Sequence, residues 1–248
     1  MARDREADLA TLRAVHGAAQ SGDFAKAAAL AQPALEGGLE HPLLFNVVAL
    51  NLEHDGNVLE AVKLLSRAVE LAPNDKGVRN ALGLCLLRLE RPAEALAQFA
   101  ALLALDPSLP FAHASHGAAL LALGAITDAE ASYRRALELD PGQSVAMAGL
   151  AHIACRRAAY SEARGWAEKA LAAMPNFPDA VMSLAATELG EGTPAKAETR
   201  LRATRPAVRA LVDKACDRVL AMRTTEGQAI AVELARQREG VRRHLEVI

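Results

Sequence analysis

Aromatic residues make up only 3% of this 248-residue chain, although 52% of it is apolar. So large an apolar fraction with so few rings leaves the packing to Ala and Leu, which favours closely approaching helices over a sheet rich in β-branched and aromatic residues. Cysteine is equally scarce. Cys85, Cys155 and Cys216 are odd in number, widely separated and set in helical apolar patterns, so a reduced compartment is the simpler expectation. No segment approaches the roughly 18 uninterrupted apolar residues of a membrane span. The opening MARDREADL places five charges where a secretory leader needs an apolar run. The expectation is a soluble, cytoplasmic protein. Nor is there an excess of one charge: 28 Lys and Arg against 30 Asp and Glu leave a net of -2, too little to recruit a polyanion.

What the chain does have is a period. Pro73, Pro107, Pro141 and Pro175 are each separated by 34 residues, the repeat length of stacked helix-turn-helix units. After a charged lead-in over residues 1–7, the period divides the chain into units 8–41, 42–75, 76–109, 110–143 and 144–177, with a degenerate sixth over 178–211. In the first, Gly22 turns the chain and Asp23 can cap the next helix. The second turns at Asp55-Gly56-Asn57; the third has Pro92 at a helix start, where its missing donor costs nothing. Thr127 and Glu130 in the fourth are spaced for a capping box. The fifth carries Ala158-Ala159 in place of a turn glycine. In the sixth, Arg205-Pro206 interrupts the second helix; residues 207–223 then read as a capping helix for the open end of a stack, and 224–248 as a C-terminal amphipathic helix.

Within each unit the pattern of Leu82-Gly83, Tyr133, Ala136 and Pro141 resembles the tetratricopeptide repeat (TPR) family, strongly from Pro42 to Phe177 and more weakly on either side. His116, where Leu is expected, and Ala167, where an aromatic is expected, depart from it and imply looser contacts. The resemblance implies an all-α, right-handed superhelical solenoid with C-terminal capping helices. It also implies a concave wall built from the second, fifth, ninth, twelfth and thirteenth places of each unit. These places are Leu43, Asn46, Leu50, Glu53 and His54, then Gly77, Asn80, Leu84, Leu87 and Arg88. In the next two units they are Phe111, Ala114, Ala118, Leu121 and Ala122, then Val145, Ala148, His152, Cys155 and Arg156. On this wall the expected contacts to a peptide or helix are Leu43, Asn46, Leu50, Asn80, Leu84, Leu87, Arg88, Phe111, Leu121, His152 and Arg156. The asparagines can bond a peptide backbone and the arginines a carboxylate. The family's clamp of Lys, Asn and Arg for a C-terminal carboxylate is not reproduced.

His113 and His116, and likewise His152 and Cys155, are one helical turn apart, but nothing supplies four convergent metal ligands. Cys155 beside Arg156 and Arg157 could be a reactive thiol, against the commoner structural role. No phosphate loop, nucleophile elbow or zinc spacing occurs, so no catalytic residue, metal or cofactor is expected. The function expected is a non-enzymatic interaction scaffold for a protein or peptide partner.

From Thr199 onward 11 basic residues face 6 acidic ones, a net of +5, which leaves -7 for residues 1–198. Ile230, Leu234, Val241, Leu245 and Ile248 form an apolar stripe there that can fold back or pair with a second copy. Met222-Arg223 and Glu226-Gly227 resemble, over about 30 residues, a helical segment of the YicC-like endoribonuclease family. The alternative function is a recruiting or regulatory arm of a transferase or ribonuclease, with weak RNA contact through the basic tail. Without interleaved aromatics, a nucleic-acid partner is not the expectation.

Overall fold

The computed structural model describes residues 5–193, 195–197 and 199–200, and among these no strand occurs. The chain divides into two compact units, residues 1–187 and 188–248.

The first unit is built of helix pairs: α1 (Arg5–Gln20) with α2 (Phe24–Glu36), α3 (Pro42–His54) with α4 (Val58–Leu71), and α5 (Lys76–Arg88) with α6 (Pro92–Leu105). Then follow α7 (Pro110–Ala122) with α8 (Ile126–Leu139), α9 (Ser144–Arg156) with α10 (Tyr160–Ala173), and α11 (Pro178–Gly190), of which residues 178–187 belong to the first unit. From α3 onward each leading helix has 13 residues and each following one 14, apart from the last pair, where α11 is the only member with stated ends. Arg5, Glu6 and Ala7, expected to be a lead-in, lie instead in the first turn of α1. A local reason is present: Glu6 and Asp8 place acidic groups at the positive end of the helix dipole.

The turn inside each pair is the same backbone device. Gly22, Gly56, Glu90, Gly124, Ala158 and Gly192 all have positive φ, between 56° and 84°. At each, the residue's N–H and the next N–H bond back to carbonyls of the preceding last turn, as Gly124 N to Leu121 O at 3.0 Å and Ala125 N to Leu120 O at 2.9 Å. This left-handed closure satisfies helix-end carbonyls and reverses the chain. In the fifth pair Ala158 closes the turn with φ 58°, so the missing glycine changes the strain and not the path.

Asp23 caps α2 by accepting the Lys26 N–H at 3.0 Å. The capping box expected of Thr127 and Glu130 is absent. The residue before α8 is Ala125, which has no capping side chain, and the Glu130 carboxylate instead takes Arg134 at 2.6 Å and Arg157 at 2.6 Å.

Packing is by close approach of small residues to rings. Gly83 on α5 faces Phe99 on α6, and Gly117 on α7 faces Tyr133 on α8, the same contact one repeat later. Ala61, Ala95, Ala129 and Ala163, also 34 residues apart, are wholly buried on the following helices. Ala167 is wholly buried too, packed with Ala151 and Leu184, with Trp166 and Leu171 against them. Consecutive leading helices also touch one another, α1 with α3, α3 with α5, α5 with α7 and α7 with α9, whereas α2, α4, α6, α8 and α10 make no such contacts among themselves. Rows that touch on one side and part on the other make the leading helices the inner wall.

In the second unit, Glu188 is buried and its carboxylate accepts two hydrogen bonds from Arg200, from Nε at 3.2 Å and Nη2 at 2.8 Å. Such a bidentate pair compensates a charge taken out of water. The capping helix 207–223, the amphipathic helix 224–248 and Cys216 lie outside the described residues.

Candidate peptide-binding groove

Along the inner wall, large apolar side chains stand open to solvent at the second, fifth or ninth place of successive leading helices. Leu84 is 41% exposed, Phe111 38%, Val145 38% and Met182 59%. Leu43 and Leu87, expected as contacts, are instead half-buried against core clusters, Leu43 beside the first pair and Leu87 beside the third. Leu50 is half-buried and reaches the wall only in part. Asn46 and Asn80 occupy the fifth place of α3 and α5. The Oδ1 of each is buried with no hydrogen-bond partner among the described residues.

Arg88, expected to meet a ligand carboxylate, is already engaged: its guanidinium donates to Glu53 at 2.5 Å across the faces of α5 and α3. Both sit on the wall, Glu53 at the twelfth place of its unit and Arg88 at the thirteenth of the next, so the pair crosslinks two leading helices and removes Arg88 as a free anchor. The same neighbourhood holds Cys85, whose thiol is pushed up to about 11 by burial first and by the Glu53 carboxylate second, against the opposing Arg88. Such a thiol is protonated and inert at neutral pH.

Leu121, His152 and Arg156 come together in a cleft of about 640 Å³. Ala118, Ala122, Val145, Ala148 and Cys155 line it as well, all from the wall places of α7 and α9. Four further contributors on α11, Asp179, Met182, Ser183 and Ala186, were not anticipated; all but Ser183 are the same wall places continued, and counting one more period finds them. Gly149 of α9 and Tyr133 of α8 line it too, Tyr133 being a contribution from a following helix that a rule about leading helices does not capture. Cys155 is half-buried in this cleft, and Arg157 next to it is taken by Glu130.

The histidines off the wall have structural partners. His113 Nε2 lies 2.9 Å from the Pro107 carbonyl, and His116 Nδ1 lies 3.1 Å from Ser132 Oγ. Ser132 donates its own proton to Asp128 O, so Nδ1 of His116 must be the donor in that bond. Burial first, and His113 second, lower the His116 pKa, which keeps the ring neutral. Among the described residues no three of His, Cys, Asp and Glu are grouped to hold a metal ion.

A family model of the tetratricopeptide repeat matches residues 12–76, 49–110 and 114–180. This chain belongs to the tetratricopeptide repeat family. Among solved structures, a TPR protein from Parabacteroides merdae is 16% identical with a TM-score of 0.63, the match covering 92% of this chain and 97% of that one. PilW, a type IV pilus biogenesis factor, is 22% identical with a TM-score of 0.65, covering 82% and 96%. A thermophilic TPR protein of Thermus thermophilus is 22% identical with a TM-score of 0.57, covering 73% and 99%. At these identities the likeness is one of fold. No curated protein matches the chain. The TPR fold is a scaffold for protein–protein interaction, and no helix among the described residues is long and apolar enough to cross a membrane. The stretch with YicC-like resemblance, and most of the basic tail to which RNA contact was assigned, lie outside the described residues.

Proposed function

We propose that this TPR protein is a non-catalytic adaptor that binds a segment of a partner protein along the inner wall of its leading helices, over repeats spanning 8–211. The observation that carries this reading is the row of Leu84, Phe111, Val145 and Met182, large apolar side chains held open to water at wall places of four successive leading helices. Exposed apolar surface arranged in a concave track is the usual mark of an interaction site. The buried, unpartnered Oδ1 atoms of Asn46 and Asn80 support it from the polar side. An unsatisfied acceptor costs about 1–3 kcal/mol, and a turn of either half-buried side chain toward the groove would let it take a peptide N–H.

The test is a double substitution, Leu84→Asp with Phe111→Asp, used as bait beside the unchanged chain, with captured proteins identified by mass spectrometry. The expected result is loss of a partner that the unchanged chain captures, at equal helix content by circular dichroism. Retention of that partner refutes the groove.

A further inference from the structure

We infer that the cleft between α7, α9 and α11 takes an amphipathic α-helix of a partner protein, its acidic flank toward Arg156 and its basic flank toward Asp179. The inference rests on the groove reading and adds the conformation and charge of what is bound.

Two halves of the wall differ chemically. At the fifth place of successive leading helices stand Asn46 and Asn80, then Ala114, Ala148 and Met182. The first two can bond an extended backbone; the last three cannot. An extended segment laid over Leu121, Val145, Ala148 and Met182 would press unpaired N–H and C=O groups onto apolar side chains, at a cost of several kcal/mol for each group left without a partner. A helix satisfies those groups within itself and offers only side chains to such a floor.

Length along α9 agrees with this. The α9 residues that line the cleft run from Val145 to Arg156, roughly 16 Å along the helix axis at 1.5 Å of rise per residue, room for a helix lying across α9. A helix with its side chains is about 10–12 Å in diameter and fits between the edges. One edge carries Arg156, at the C-terminal end of α9, and the other Asp179, in the first turn of α11. Among the described residues neither has an ion-pair partner, in contrast to Arg88, which holds the same thirteenth place on α5 as Arg156 on α9 and is paired with Glu53. A helix turned end for end swaps its flanks, so opposite charges on the two edges favour one direction of the bound helix over the other. Complementary rim charges of this kind fix register and reject wrong partners more than they add affinity.

The probe is a synthetic fluorescent 18-residue peptide with Leu on one face, Glu along one flank and Lys along the other, titrated with the full chain by anisotropy. Two companions have the same length: one with two central prolines, and one with Gln for every Glu. The helical probe is expected to bind at least about 10-fold more tightly than the proline peptide. Arg156→Glu is expected to weaken the Glu probe by roughly 3- to 10-fold while changing the Gln probe less than about 2-fold. Equal binding of the proline peptide overturns the helical occupant but leaves the groove, and indifference of the Glu probe to Arg156→Glu overturns the charge assignment. No binding by a folded chain overturns the inference outright. Binding that survives Leu121→Asp removes the groove reading itself. A chain that is dimeric by light scattering and dissociates when the probe is added puts a second copy in the cleft and overturns the assignment to a partner.

Discussion

The ring of Tyr133 covers Gly149 so closely that a Cβ on Gly149 would stand 2.3 Å from its Cζ. The same ring approaches Gly117 from the other side, where an added Cβ would meet it at 2.9 Å. Tyr133 is therefore a wedge on α8 that sets how near α7 and α9 can come, and it lines the cleft. Burial first, with the Asp179 carboxylate second, raises its phenol pKa, so the ring stays neutral throughout the physiological range.

Gly149→Ala is expected to destabilise the chain by about 1–3 kcal/mol, the range for overpacking a closed core. Gly165→Ala, inside α10 with no atom within 4 Å of the added carbon, is expected to stabilise by about 0.5–1 kcal/mol from helix propensity alone. Thermal unfolding followed by circular dichroism should move in opposite directions for the two. A Gly149→Ala chain as stable as the parent would show that the wedge has room to shift.

At the left-handed turn position, four repeats use glycine and two use Glu90, with φ 56°, and Ala158, with φ 58°. A side chain there costs roughly 1–2 kcal/mol, partly offset by the greater freedom that glycine gives the unfolded chain. Ala158→Gly and Glu90→Gly are each expected to raise the melting temperature, by about 2–4 °C per kcal/mol recovered in a protein of this size. Ala158→Val should lower it. A drop in melting temperature for Ala158→Gly would mean that the strain is relieved elsewhere.

The period was legible because its markers are residues without substitutes: proline at a helix edge, alanine at a crossing, glycine under a ring. Leading helices begin at Pro42, Lys76, Pro110, Ser144 and Pro178, the very spacing that the prolines announce. Side-chain engagement was less legible. Arg88 looked like a ligand anchor because its partner, Glu53, is 35 residues away and meets it only once the leading helices stack. Leu43 and Leu87 share wall places with exposed residues elsewhere, yet neighbouring leucines draw them into the core, a matter of local bulk that a positional rule cannot see. The turn at Ala158 kept its path because backbone bonds to the preceding helix hold it, whatever the side chain.

Thr127 and Asp23 separate pattern from geometry. Asp23 stands just before α2 and its carboxylate takes the Lys26 N–H, which makes it a cap, while Thr127 lies already inside the first turn of α8. Asp23→Ala is expected to cost about 1 kcal/mol. Thr127→Ala should stay within about 0.5 kcal/mol, as for a surface change with no named mechanism. Denaturant midpoints at equal slope measure both, and an equal loss for the two would restore the capping box.

Asp106 links a local geometry to pH. Its Oδ2 takes Lys76 Nζ at 2.7 Å, from the start of α5 to the end of α6, while its Oδ1 accepts from Ser108 N at 3.0 Å and Ser108 Oγ at 2.6 Å. The Lys76 bond first, and the two Ser108 bonds next, lower its pKa from 3.8 to about 2. The folded value lies below the unfolded one, so the carboxylate stabilises the fold fully above the unfolded pKa. That contribution fades as pH falls from near 4 through about 2. Carbon-detected NMR titration should place the Asp106 midpoint well below the other exposed aspartates. Lys76→Ala should move it up and shrink the stability difference between pH 5 and pH 3. A midpoint that stays low in Lys76→Ala would assign the effect to Ser108 instead.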